Sequence, residues 1–497
     1  MKQLTGLDAS FLNMETKTTF GHVNGLGIYS RPSRTFDPYQ VVLDLIGSKV
    51  GDIEPLRRRL VEVPFGLDHP YWIDDPDFDL EFHVREIALS PPGAVDQLCE
   101  QVARIVARPM DRTRPLWEIY VIEGLQSGRW ALLTKVHHAA VDGAAGVRLL
   151  TMLTESLPSS EPRPPGTPWT PEPIPNDSML LQRAVRNLAV SPPKVLRLQL
   201  QILQQLADAT GVTGLSSAAK AARSLVRGRR PSTTPNGVKL PSLQAPPTPW
   251  NKTITAHRRF ALRSASIDDI KRLKEITGCT VNDVVMAICA GALREYLLRH
   301  NCLPDQPLQA MVPVSIRTGN EDDPWSNRVS AIVAALPTNC DDPLQRVALC
   351  RQAMAEAKKQ FELVPAEALG TLAQFASPVV AASAMRMAAR LKLADRVNLP
   401  ANVVISNVPG PREPVYIGEA KLENYIPVSI ITDGMGLNIT VHSYLDRLDF
   451  GLIACRELVP DLWDLVDLHI DEIDRLFVAT GAKRSSPKRA AAPRKRR

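Results

Sequence analysis

The sequence predicts a two-domain α/β protein, and three observations carry that expectation. The chain has 497 residues, more than one ordinary core accommodates. Strand-like runs alternate with amphipathic helical runs in both of its halves. Between the halves, residues 158–249 hold two proline-rich stretches that suit neither helix nor strand interiors.

Taken in order, the first domain spans residues 1–157. Helical spacing covers Pro38 to Val50 and Val95 to Ala107. Trp117 to Val121 and Trp130 to Val136 read as the two strands of a hairpin, with Gly124 to Gly128 as its turn. The second of these strands runs straight into His137, and helical pattern resumes after Gly143. In the connection, Met179 to Arg230 shows helical spacing with nine Lys/Arg against one acid, Asp208. Such a segment is either a pair of solvated amphipathic helices or a basic surface for anionic lipid.

The second domain spans residues 250–480. It should open with a strand over Lys252 to Leu262, then a helix capped by Ser266 and stopped by Gly278. A second helix follows over Val281 to His300, with strands at Gln309 to Arg317 and Val329 to Leu336. Alanine-rich helical sequence fills 342–395. Ala401 to Val408, Tyr425 to Thr432, Leu437 to Tyr444 and Asp449 to Cys455 read as strands, and Asp461 to Phe477 as the closing helix. Residues 481–497 form a basic tail without core-forming pattern, expected to be disordered.

Charge excludes less than it first suggests. The formal net charge is +6, but the last 15 residues carry eight Lys/Arg, so the rest of the chain stands at −2. No nucleic-acid-binding motif accompanies the basic segments, and no nucleic-acid partner is expected. The seven cysteines are scattered without a C-x-x-C pair, which argues against a zinc site or a disulfide framework. No metal site is expected. No secretory signal and no apolar run of about 18 residues is legible, so any membrane contact should be peripheral.

The chemistry sits in His137-His138-Ala139-Ala140-Val141-Asp142-Gly143. Imidazole titrates near neutral pH and can take a proton from a hydroxyl as it attacks an acyl group. The end of a strand is a rigid place from which to present it. His138 is the expected general base, with His137 its neighbour. Asp142 either orients the histidine or holds the loop by pairing with an arginine, for which Arg317 is the candidate. Gly143 permits a tight turn and close substrate approach. No G-x-S-x-G nucleophile motif occurs, so a covalent acyl-enzyme is not required. Neither a Walker-type loop nor a dinucleotide fingerprint is present.

HHxxxDG resembles the signature of the CoA-dependent acyltransferase superfamily. That group includes chloramphenicol acetyltransferase, carnitine acyltransferases, plant BAHD acyltransferases and peptide-synthetase condensation domains. Within it, the chain is similar to the bacterial wax ester synthase/diacylglycerol acyltransferase family over about residues 1 to 478. The opening LDASFLNMET with HVNGLGIY carries that resemblance, together with Pro115-Leu116-Trp117, Thr280-Val281-Asn282-Asp283 and Ser406-Asn407-Val408-Pro409-Gly410-Pro411.

The resemblance implies two chloramphenicol-acetyltransferase-like halves with a tunnel between them. It implies acyl-CoA as co-substrate, no bound cofactor, and diacylglycerol or a long-chain alcohol as acceptor. It implies that Asn282 lies near the active site, although Asp283 can equally serve a helix cap. Asn407 is implied at the meeting of the halves, although Asn407 to Pro411 can equally be a turn closing a central strand, and Pro115 and Trp117 stand either near substrate or as a packed strand start. Asn438 and Ser443 could offer donors to an oxyanion. The expected location is cytoplasmic, at an inner membrane or lipid-inclusion surface that is anionic. Two other functions fit the same residues: a condensation-type transferase using carrier-protein thioesters, and a non-catalytic coat of lipid inclusions.

Overall fold

A computed structural model of the chain describes residues 1–141, 143–190, 244–316, 325, 327, 329–362, 378–397 and 399–484. The expectations for Asp142, Arg317, most of the basic segment and nearly all of the tail lie outside those residues. Two six-stranded mixed sheets with helices against them, and one three-stranded sheet, make up the fold.

The first half contributes β1 (Lys2–Gln3), α1 (Gly6–Asn13), β2 (His22–Tyr29), α2 (Pro38–Lys49), α3 (Glu54–Arg57), β3 (Arg58–Val61), β4 (Tyr71–Asp74), α4 (Leu80–His83), β5 (Val84–Ala88) and α5 (Val95–Val106). It continues with β6 (Trp117–Glu123), β7 (Trp130–His137), α6 (Gly143–Met152) and α7 (Asp177–Val190). The second half holds β8 (Arg258–Ser266), α8 (Ile267–Thr277), α9 (Val281–Arg299), β9 (Leu308–Ser315), β10 (Val329–Leu336), α10 (Pro343–Glu362) and α11 (Pro378–Arg390). β11 (Val403–Pro409), β12 (Tyr416–Ile417), β13 (Ala420–Val428), β14 (Leu437–Tyr444), β15 (Arg447–Cys455) and α12 (Leu462–Thr480) complete it.

The predicted hairpin is β6–β7, in antiparallel register from Trp117↔Val136 to Ile122↔Ala131. Its strands are apolar on both faces because helices or the other half cover both. Trp130, Leu132 and Val136 belong to the same core as Val42, Leu45 and Ile46 of α2, whereas Ala131 and Leu133 belong to the core that holds Leu98 and Val102 of α5 and Phe260 of β8. The second core surrounds α9, which is apolar on every side and correspondingly buried. Its Gly291 makes room for a buried ion pair: Arg346 Nη1 lies 2.7 Å from Glu472 Oε1, where a Cβ on residue 291 would collide with both side chains.

Local end signals appear where the sequence puts them. The Ser266 hydroxyl accepts from the Asp269 N–H to cap α8, and Gly278 closes that helix at φ 65°. Thr280 and Asp283 form a reciprocal capping box on α9, which supports the helix-cap alternative for Asp283.

Two strands depart from expectation. β8 begins at Arg258 because the preceding backbone is bound elsewhere: Thr253 N–H goes to Asp395, Ile254 N–H to Asp433 and Thr255 N–H to the Cys455 sulfur. β13 is shifted toward the N-terminus because it does not join its own half's sheet. It crosses over to pair with β2, Tyr425 opposite Gly27, giving the order β12-β13-β2-β7-β6-β5.

That crossover fixes the halves together. Buried Asp449 of β15 accepts from Asn424 Nδ2 at 2.9 Å and from the Tyr425 N–H at 3.2 Å. Arg258 of β8 donates to the Thr18 carbonyl and lies over the Phe20 ring, just before the segment that meets the histidine pair. The second sheet runs β10-β9-β11-β14-β15-β8. No single described helix is long and apolar enough to cross a membrane; α8 and α9 pass such a test only together and are bent by 100°.

Candidate active site

β7 ends at His137, and backbone pairing places both histidines. The His137 N–H donates to the Leu116 carbonyl at 2.9 Å, so Pro115-Leu116-Trp117 sets the register at the strand end. The His138 N–H donates to the Gly21 carbonyl at 2.7 Å, across from β2. Trp117 itself is buried and donates its indole N–H to Leu56 O at 2.7 Å, a scaffold contact.

The two imidazoles occupy different surroundings. His137 is 1% exposed. Its Nδ1 accepts from the Ala139 N–H at 3.0 Å, which puts that ring's proton on Nε2, 3.2 Å from Glu15 Oε1. His138 is only partly buried. Its ring stacks on Phe11, centroids 3.9 Å apart and planes 10° from parallel. Its Nδ1 lies 2.8 Å from Asn327 Oδ1.

Helix α1 and the residues just after it supply three of the residues around this pair. Asp8 and Phe11, three apart, share the helix face that meets His138, and Glu15 follows just past the helix end. Asp8 completes a capping box with Thr5 and accepts from Asn327 at Oδ1, from the backbone N–H at 2.9 Å and from Nδ2 at 2.7 Å. Burial raises the Asp8 carboxyl above its ordinary range, against the lowering effect of the Thr5 and Asn327 donors. For Glu15, burial again pushes upward. Contact with His137, the Gly21 N–H at 2.7 Å and Arg112 at 2.7 Å outweigh it and hold that carboxyl far below the usual range.

The remaining candidates are placed as follows. Asn438 is buried, donates Nδ2 to Ile430 O at 3.0 Å and accepts from the Thr440 hydroxyl. Ser443 Oγ accepts from the Gly410 N–H at 3.4 Å. Asn407 lies on β11 opposite Val441 of β14, and Asn282 stands in the first turn of α9, partly buried. Gly410 of the N-V-P-G-P run is required because a Cβ there would strike the ring of His442. His442 is buried against Tyr425, centroids 4.8 Å apart, and both its ring nitrogens lack a hydrogen-bond partner among the described residues. Burial lowers its pKa to about 4.

Sequence reasoning missed Asp8, Phe11, Glu15 and Asn327, which surround the histidine pair. A signal for the first existed: Thr5-x-x-Asp8 is a capping box, and Asp8 and Phe11 fall on one helical face. Nothing local marks Asn327, which is 189 positions from His138. A small crevice bounded by Asp8, Pro55, Arg58, Trp72 and Trp325 opens beside Ala139 and Ala140. A larger concavity, lined by Ile276, Leu344, Arg351 and Thr480 among others, lies on the helical side of the second half, away from the histidines.

Two sheet-and-helix halves are stitched by a crossover strand and meet at a histidine just past a strand end, an architecture found in other solved structures. The first condensation domain of the calcium-dependent antibiotic synthetase shares it, with TM-score 0.53 at 15% identity over 97% of this chain and 96% of that one. A closer likeness is the wax ester synthase/diacylglycerol acyltransferase from Marinobacter aquaeolei VT8, with TM-score 0.65 at 31% identity, covering 97% of this chain and all of that one.

The model of the wax ester synthase/diacylglycerol acyltransferase catalytic domain matches residues 4–285, and that of the C-terminal domain of the same family matches residues 325–476. The O-acyltransferase WSD of Acinetobacter baylyi is 35% identical over 99% of this chain and 100% of its own length. The chain belongs to the wax ester synthase/diacylglycerol acyltransferase family.

Proposed function

We propose that the protein is an O-acyltransferase that moves a long-chain acyl group from acyl-CoA to the hydroxyl of diacylglycerol or of a long-chain alcohol. The observation that carries this reading is the unequal histidine pair. One ring is enclosed and bound into the scaffold; the next is clamped at Nδ1 and on one face but remains partly exposed.

His138 Nε2 takes the proton of the acceptor hydroxyl as its oxygen attacks the thioester carbonyl carbon. The tetrahedral oxyanion collapses, the C–S bond breaks, and the imidazolium returns the proton to the CoA thiolate. Proton and acyl group are both accounted for without a covalent enzyme intermediate. Asp142, Gly143 and Arg317 remain proposals for shaping the loop, and Asn282 for a place near substrate.

Purified protein given palmitoyl-CoA with hexadecanol or dipalmitoylglycerol should release CoA thiol and form ester in equal amounts. Absence of ester with both acceptors would overturn the reading.

Peripheral attachment to an anionic membrane or lipid-inclusion surface is part of the same proposal. Phe65 is 81% exposed and Leu67 56%, on a turn where Phe65 sits at φ 59°. That turn abuts α7 and α11, and exposed Val185 and Met385 stand on those helices. Arg186, Arg386, Arg390 and Lys392 are exposed nearby, the charge an anionic surface attracts. α11 also packs on α1, which carries Phe11 and Asp8 to His138. Changing Phe65 and Leu67 together to serine should weaken co-flotation with phosphatidylglycerol-containing vesicles at least tenfold, because each apolar side chain contributes about 1.5–3 kcal/mol when buried. Undiminished flotation would reject this face.

A further inference from the structure

We propose that Asn327 is a positioning residue that fixes the tautomer of His138, with Asp8 fixing Asn327 in turn. The inference rests on His138 being the general base and specifies how that base is kept competent.

Donors and acceptors around the Asn327 amide fix its orientation. Asn327 Nδ2 lies 2.7 Å from Asp8 Oδ1 and 2.6 Å from the His138 carbonyl oxygen. The carbonyl can only accept, and Asp8 Oδ1 already receives the Asn327 backbone N–H. The NH₂ group must therefore face these two oxygens, and the opposite orientation would set oxygen against oxygen twice. That leaves Oδ1 toward His138 Nδ1 at 2.8 Å. An amide oxygen only accepts, so Nδ1 carries the imidazole proton and Nε2 carries the lone pair. Which ring nitrogen is protonated follows from the hydrogen bond made by the other.

Asn327 thus grips one residue twice, at its ring and at its carbonyl, while Phe11 covers one ring face. The neighbouring histidine has the reverse tautomer, because its Nδ1 accepts from the Ala139 N–H. Two adjacent imidazoles therefore hold their protons on opposite nitrogens, and only His138 is set to abstract one through Nε2. Asn327 belongs to the second half, on the segment just before β10, whereas His138 and Asp8 belong to the first. The base is complete only when the halves have met.

The direct test is a long-range ¹H–¹⁵N spectrum of full-length protein labelled with ¹⁵N-histidine, the His138 signals assigned by their loss in His138→Ala. The wild type should show the His138 proton on Nδ1 at neutral pH; a proton on Nε2 would overturn the proposal. Asn327→Leu, close in volume but without polar atoms, should lower kcat at least tenfold, leave KM for palmitoyl-CoA within about twofold and mix the two tautomers. Wild-type kcat in that variant would also overturn it. Should Asn327→Leu fail to fold, the wild-type spectrum decides alone. The spectrum is independent of turnover, so undiminished ester formation by His138→Ala would remove the general-base reading on separate evidence.

Discussion

His138→Ala lowers the rate of acyl transfer at least 10²-fold while the protein stays folded, because a positioned general base contributes about 10²–10⁴. The side chain is partly exposed, and its loss leaves a gap beside Phe11 without removing a core residue. His137→Ala acts differently. That ring is 1% exposed, accepts from the Ala139 N–H and touches Glu15. Its removal leaves a buried donor without an acceptor, at a cost of about 1–3 kcal/mol, so thermal stability falls more than kcat does. Steady-state rates and denaturation midpoints of the two variants check this together. Equal loss of turnover in two equally stable proteins would contradict the division of roles.

Glu15→Ala should cost about 3 kcal/mol of stability and at least tenfold in turnover. The carboxylate is mostly buried and serves the Gly21 N–H, Arg112 and His137 at once. Cutting it away strands the Gly21 donor and loosens the segment whose carbonyl receives the His138 N–H. The effect has a pH signature. Glu15 is held below its ordinary pKa of 4.5 in the folded protein. The unfolded chain therefore takes up the proton first on acidification. The stabilisation is full above pH 4.5 and shrinks by about 1.4 kcal/mol per pH unit below it. Urea unfolding at pH 7 and pH 3.5 should show the gap between wild type and variant narrowing at the acid end. A gap that widens would show that the carboxylate is not held ionised by these partners.

What the sequence discloses and what it conceals follow from the range of the interactions. The β6–β7 hairpin, the Ser266 and Thr280 caps and the Gly278 stop are settled within a few residues, and the pattern alone places them. The crossover of β13 onto β2 joins positions about 400 apart, and its alternating pattern fits either sheet. The early start expected for β8 failed for a related reason. Asp395, Asp433 and Cys455, all distant in the chain, bind the backbone of 253–255 and hold it out of the ladder.

The candidate site divides in the same way. His137 and His138 are legible because imidazole next to imidazole at a strand end has few other uses. Pro115-Leu116-Trp117 is legible as a motif, but its contribution, a carbonyl for the His137 N–H, appears only once the strands pair. Asn327 lies in a polar stretch without periodicity, and its meaning depends on three atoms from the other half of the chain.

The most direct measurement of the central claim follows CoA thiol and ester product in one reaction, palmitoyl-CoA with a lipid alcohol, for wild type and for folded His138→Ala. General-base action by His138 predicts one thiol per ester in the wild type and loss of both signals together, by at least 10²-fold, in the variant. Ester formation at the wild-type rate without that imidazole would contradict it.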